Sequence, residues 1–257
     1  MARTPDGPPP PPTVQRLRVR YTKRGRLRFT SHRDFARAFE RALRRARVPM
    51  AYSAGFSPHP KISYVGAAPT GVASEAEYLE IGLATRCDPA AVRAALDESL
   101  PPGLDVLECV ESAGGSLADR IQASQWRVRL PGVDEPDLAA AVATFLAQET
   151  VPVERLMKDG RRLLDARAAV VAAAAEADTP TAGDAPGARC AILRLVVRHL
   201  TPAVRPDDVL SGLRSVAGLE PTAPAEATRL AQGLLDDAGR LLDPLAADTA
   251  AAAQSYA

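Results

Sequence analysis

Between Ser31 and Lys61 the chain gathers two groups of residues with related chemistry. Arg33, Arg37, Arg41 and Arg44 recur at spacings of four and three, which sets guanidinium groups along one face of a helix. The segment Tyr52-Ser53-Ala54-Gly55-Phe56-Ser57-Pro58-His59-Pro60-Lys61 follows. Tyr52 and Phe56 offer flat faces for a nucleic-acid base, where stacking is worth about 1–3 kcal/mol per base. Gly55 allows positive φ or a close backbone approach. Pro58 and Pro60 keep the loop extended and lower the cost of ordering it on binding. Ser53 joins the set, and His59 and Lys61 add donors. If this loop lies beside the helix start, Ser31, His32 and Arg33 supply amide N–H groups, a favourable dipole and a charge to the same anion. The competing readings are rings that plug a core and arginines that merely solvate a helix. A stripe with so few acids for i,i+4 pairing is unusual for solvation alone.

The charge distribution points the same way. Residues 16–64 hold fourteen Lys and Arg against Asp34 and Glu40, while the whole chain is formally +1. The remainder is therefore net acidic. A basic module of this kind attracts phosphate, above all in nucleic acid. No apolar run approaches the ~20 residues of a membrane span, and the start of the chain has no signal-peptide core. The expected location is cytoplasmic. Cys87, Cys109 and Cys190 are few and far apart, which suits neither a disulfide framework nor a metal knuckle. No CxxC spacing is present, so no iron–sulfur cluster and no other cofactor is expected in this chain.

Further constellations carry weaker chemistry. Arg16, Arg18 and Arg20 alternate along a strand and would share an open sheet face able to track a phosphate backbone. Arg127 with Arg129, and Arg194 with Arg198, repeat that pattern. His32, Asp34 and His59 would make a metal set, but Asp34 has a capping role and the setting is cationic. Gly71, Ser74, Glu75 and Glu77 form a second loop-to-strand cluster, in which a carboxylate would receive an arginine from the helix or act as a base. Asp165 and Arg167, two apart, would share one strand face as an ion pair or a partner contact. No nucleophile elbow, phosphate loop, dinucleotide fingerprint or zinc-protease helix occurs, so catalysis has no visible seat.

The elements that must position these residues read as α+β. Residues 16–22 alternate as a half-buried strand, with Leu17, Val19 and Tyr21 inward. Ser31 and Asp34 open a helix that ends before Pro49. Its apolar face is Phe35, Ala38, Phe39, Ala42, Leu43 and Ala46. Strands at 62–65, 77–83 and 104–110 and a helix at 88–100 complete a βαββαβ order, the ferredoxin-like arrangement. The second half repeats it irregularly. It predicts a strand at 125–130, a helix at 135–148, a hairpin about Asp159-Gly160, a short helix over 168–177, a strand at 189–199 and a helix at 206–216. Residues 228–235 fit strand or helix equally. The domain plan is a disordered Pro-rich lead 1–13, a basic ferredoxin-like domain 14–112, a linker 113–124, a second ferredoxin-like domain 125–243 and a disordered tail 244–257. Within the second domain, 179–187 is expected to be a mobile connection.

Ser31-His32-x-Asp34, Arg37, Arg41-Ala42-x-Arg44-Arg45-Ala46, Pro49, Tyr52-Ser53-x-Gly55-Phe56-x-Pro58-His59-Pro60-Lys61 and Gly71-x-x-Ser74-x-x-Glu77-Tyr78 together resemble the radical-SAM-linked family, a bacterial domain of unknown function. Such domains are often fused behind a radical-SAM enzyme. The stand-alone actinobacterial form is encoded near ribonuclease E/G and ribosomal protein genes. The resemblance is specific over residues 16–112 and weaker beyond, where Asp165-x-Arg167 follows a basic hairpin. It implies an auxiliary module that presents RNA or a ribosomal component to an enzyme. This chain lacks the cysteine-rich catalytic half and carries Arg33 where an apolar residue is common.

The reading is a non-catalytic RNA-binding or ribonucleoprotein-associated accessory protein. Arg33, Arg37, Arg41, Arg44 and Lys61 would contact phosphates, and Tyr52 and Phe56 would stack on bases. Two alternatives stand beside it. One is an accessory subunit or enzyme working with a separate radical-SAM protein on a small anionic substrate, with Glu77, His32 and His59 in its pocket. The other is an adaptor whose basic face docks on an acidic partner such as a ribonuclease tail. No membrane partner is expected.

Overall fold

Alternation makes β1 (Gln15–Lys23) a strand, with Leu17, Val19 and Tyr21 buried side by side on one face. The computed structural model of the protein describes residues 10–157, 160–178 and 189–255. These fall into two compact units. One comprises the described residues up to Arg120 together with those from Pro244 onward, and the other is Ile121–Asp243. The expectation of a disordered lead falls mostly outside the described residues.

In the first unit β1 is followed by α1 (His32–Arg45), β2 (Ile62–Val65), β3 (Ala73–Leu83), α2 (Pro89–Ser99) and β4 (Val106–Glu111). All pairings are antiparallel: β4 on β1, β1 on β3 and β3 on β2. The apolar stripe of α1 meets the apolar face of β1. Tyr21 and Phe35 stack with ring centroids 4.6 Å apart, and Phe39 and Leu43 are buried beside them. Each such side chain contributes about 1.5–3 kcal/mol on burial. Ser31 caps α1: its Oγ accepts the Asp34 N–H at 3.2 Å and donates to Asp34 Oδ2 at 2.6 Å. Asp88 caps α2 through the Ala90 N–H, with Pro89 in the first turn.

The second unit runs β5 (Ala123–Pro131), α3 (Glu135–Leu146), β6 (Pro152–Met157), β7 (Gly160–Asp165), α4 (Ala166–Ala169), β8 (Val170–Ala177), β9 (Cys190–Arg198), α5 (Pro206–Ala217), β10 (Glu226–Leu235) and β11 (Leu241–Leu242). Strand β5 lies between β10 and β9, and β8 flanks β9. Strands β6 and β7 pair only with each other among the described residues. Asp159 of the expected turn and the expected connection 179–187 lie outside the described residues. The helix expected over 168–177 is a single turn, α4, followed by β8. Alanine favours helix intrinsically, but pairing of Ala172–Ala177 with β9 outweighs a preference of a few tenths of a kcal/mol per residue. Residues 228–235, open to either reading, are strand: β10 pairs along β5 from Glu226 to Gly233.

After the second unit the chain returns to the first as α6 (Ala246–Ser255). The sequence reading leaves this tail disordered and the Arg16–Arg18–Arg20 face open, and both expectations fail for one reason. Arg18 and Asp248 are fully buried, at 0% exposure each, and Arg18 Nη1 donates to both Asp248 oxygens at 2.9 and 2.8 Å. Asp248 also accepts Arg120 Nη1 at 2.9 Å and the Ala113 N–H at 2.8 Å. An alanine-rich segment with an acid in its first turn is a competent helix. Its buried carboxylate gives that helix a fixed seat.

Candidate nucleic-acid interface

Because α1 spends its apolar stripe on the core, its remaining surface is cationic. Arg33, Arg37, Arg41 and Arg44 are all exposed. None has a carboxylate partner among the described residues. Several other arginines of the unit are paired: Arg16 with Glu80 at 2.9 Å, Arg86 with Glu111 at 2.7 Å, and Arg24 with Glu75 and Asp105. The α1 arginines have charge left to offer, as do the exposed Arg26 and Arg47 on either side of the helix.

The Tyr52–Lys61 loop is closed on itself at its base. The Ser53 N–H donates to the His59 carbonyl at 2.9 Å, and the His59 N–H donates to Ser53 Oγ at 3.0 Å. Ladder bonds anchor the loop between Ala51 and β3: the Lys61 N–H donates to the Ala51 carbonyl, and the Ala51 N–H to that of Gly82. Gly55 sits at φ +127° with open space where a Cβ would be, so conformation rather than room demands glycine. Phe56 is 70% exposed and Tyr52 40%, which answers the alternative that these rings plug the core. His59 and Lys61 are exposed, and Lys61 Nζ donates to Thr13 Oγ1 at 3.0 Å.

One expected juxtaposition does not form. The loop adjoins the end of the sheet where Gln15 meets Leu83 and Ile62 meets Ile81. Helix α1 begins at the other end, where Lys23 meets Ser74 and Val65 meets Tyr78. A helix that crosses back over its sheet must place its start and the connection after its end at opposite ends. Ser31, His32 and Arg33 therefore adjoin the 66–74 loop. The Gly71 N–H donates to the Arg28 carbonyl at 2.7 Å, and His32 meets the Tyr64 ring edge-on at 4.9 Å. Burial, then the Glu40 charge, push the Tyr64 hydroxyl pKa up. That phenol stays neutral.

Ser74 and Glu77 are buried and serve the backbone. Ser74 Oγ accepts the Ala76 N–H, and Glu77 Oε2 accepts the Ala68 N–H at 3.0 Å. The expected share of Asp165 and Arg167 in one strand face is corrected, because Arg167 lies in α4. Asp165 Oδ1 caps that turn and also accepts the Val151 N–H at 2.9 Å. Arg167 donates to the carbonyls of Leu146 and Val170. Of the other rows, Arg127 and Arg129 pair with Asp178, and Arg194 pairs with Glu176. Burial opposes ionisation of Asp178, but hydrogen bonds from Arg129 and Cys190 hold its pKa below the usual carboxylate range.

Two features escape sequence reasoning. Phe29 is 59% exposed, with the Arg28 guanidinium 4.9 Å from its ring centroid, a cation–π pair on the surface. Arg41, Arg45 and Arg47 line a cavity of about 780 Å³ where the C-terminal ends of α1 and α2 meet. Arg47 falls just past the helix and two residues before Pro49, where a left-handed residue closes a helix, but the glycine that usually marks such a closure is absent. In the second unit, Ser124 Oγ and His199 Nε2 are 2.6 Å apart. Ser124 is 1% exposed and His199 is exposed, so the bond gives the buried Ser124 hydroxyl its partner.

Residues 16–206 match a bacterial family described as "Uncharacterized protein conserved in bacteria" (DUF2344). The chain belongs to this family. The DUF2344 region takes in α1, the Tyr52–Lys61 loop and the arginine cavity, so the candidate interface lies within it. No curated protein matches the chain.

Proposed function

We propose that this protein binds single-stranded RNA without acting on it, through the α1 arginines and the two rings of the following loop. The observation that carries the reading is the row itself: Arg33, Arg37, Arg41 and Arg44 lie exposed along one helix with no carboxylate partner among the described residues, while Arg16, Arg24 and Arg86 of the same unit are held by carboxylates. Guanidinium groups supply affinity through phosphate, and exposed rings stack on bases of any sequence. Tyr52 and Phe56, rooted by the ladder at Lys61, suit that role.

Each unit, on this reading, is ferredoxin-like. The order β4-β1-β3-β2 in the first unit supports it, and so does β10-β5-β9-β8 in the second, with β6, β7 and α4 inserted after α3. Asp248 of α6 takes up the Arg18 guanidinium on the first sheet's far face, and this reading assigns contact to α1 and its loop. A radical-SAM or ribonuclease partner rests on the sequence resemblance and adds a recipient for the RNA. Binding of a fluorescein-labelled 12-nucleotide RNA, with polyglutamate as competitor, tests the proposal. Displacement by unlabelled RNA at far lower charge concentration than polyglutamate is expected. Equal displacement by the two would favour an adaptor for acidic partners.

A further inference from the structure

Arg47 is a non-glycine residue in left-handed backbone, at φ +52°. It occupies the position after the C-cap of α1: the Val48 N–H reaches back to the Leu43 carbonyl at 3.0 Å and the Arg47 N–H to that of Arg44 at 3.2 Å. Glycine is the residue such a closure favours, because a Cβ is strained there. The chain keeps arginine, and the side chain lines the cavity shared by Arg41, Arg45, Glu98 and Ser99. Strain of this kind collects at ligand clamps.

The charge in the cavity is informative. Arg45 is committed to the Ser99 carbonyl at the end of α2. Each helix end contributes about −0.5 of a charge. Three guanidinium groups against Glu98 and two helix ends therefore leave an excess of about one positive charge. That balance suits a singly charged phosphodiester. A volume of about 780 Å³ lies within the roughly 300–1,000 Å³ of small-molecule sites and exceeds what one ion needs.

We infer that this cavity is a nucleotide subsite, in which Arg41 and Arg47 hold one phosphodiester of a bound RNA and Arg45, tied to Ser99, orients the wall. It rests on the reading of α1 as the phosphate-contacting face, since Arg41 belongs to both the stripe and the cavity. The site accounts for an arginine where the fold alone would select glycine.

The test is a titration of the full chain with the dinucleotide ApA, followed by NMR, with adenosine as the uncharged control. Saturable binding of ApA and none of adenosine is expected. Arg47→Gly should weaken ApA at least fivefold while its melting temperature stays equal or rises. Arg41→Gln provides a second variant with unchanged backbone and should weaken ApA to a similar extent. Equal binding of adenosine, unchanged ApA affinity in both variants, or a fall in the Arg47→Gly melting temperature would overturn the subsite. The 12-nucleotide RNA is measured on the same preparations. If it binds while ApA does not, the subsite fails and the α1 reading stands. If ApA binds at the cavity while the longer RNA does not, the α1 reading fails and the subsite fails with it as a site for RNA.

Discussion

Replacing Asp248 by alanine should unfold the first unit at a much lower temperature. Asp248 is fully buried and receives two contacts from Arg18, one from Arg120 and one from the Ala113 N–H. Removing the carboxylate leaves the buried Arg18 guanidinium with Glu80 at 3.1 Å and the carbonyls of Gly114 and Gly115. Breaking one side of a buried pair costs about 3–5 kcal/mol, mostly from the charge left behind. For a unit of this size a loss of 1 kcal/mol lowers the melting temperature by about 3–5 °C. The expected fall is therefore about 10–25 °C, read by circular dichroism on the full chain. The double variant Arg18→Met with Asp248→Leu should recover most of it, because an apolar pair needs no compensation. A fall of less than 2 °C for Asp248→Ala would refute the seating of α6, and failure of the double variant to recover would refute the burial argument.

Two further outcomes follow from the geometry. Phe56→Ala should weaken the 12-nucleotide RNA by about 1–3 kcal/mol, roughly 5- to 150-fold, with little change in melting temperature because the ring is exposed; fluorescence anisotropy reads the first and calorimetry the second. Burial lowers the His199 pKa below its ordinary 6.5, with the nearby Arg229 charge adding to it and the Ile121 carbonyl opposing. The unfolded chain therefore takes up this proton first, so the stabilisation is complete above pH 6.5 and is lost as pH falls from 6.5 through the folded value. The second unit should melt progressively lower over that window, and His199→Gln should flatten the dependence.

Local physics made much of the first unit legible. The period of β1, the Ser31–Asp34 cap and the Pro49 stop each act within a few residues, so the sequence carries them openly. The arginine stripe comes from the same patterns, whereas they leave the exposure of Phe56 open between a stacking ring and a core plug. What stayed hidden depends on distant partners. Arg18 reads as a surface arginine until Asp248, 230 positions later, buries it. Strand β8 reads as an alanine helix until β9 pairs with it. The position of the loop relative to the start of α1 follows from strand order, which no local pattern contains. The cavity at Arg47 was hidden differently, because its backbone signal sits where glycine is usual and arginine stands instead.

The salt dependence of RNA affinity tests the central claim most directly. If the four α1 arginines each neutralise one phosphate of single-stranded RNA, log K should fall against log salt with a slope of about −3, a loss of about 150-fold between 50 and 300 mM. Replacing Arg33, Arg37, Arg41 and Arg44 by glutamine should remove most of that slope with the fold intact, leaving only the share of Arg47 and Lys61. A slope unchanged by those four substitutions, or tight binding indifferent to salt in the native protein, would contradict the account.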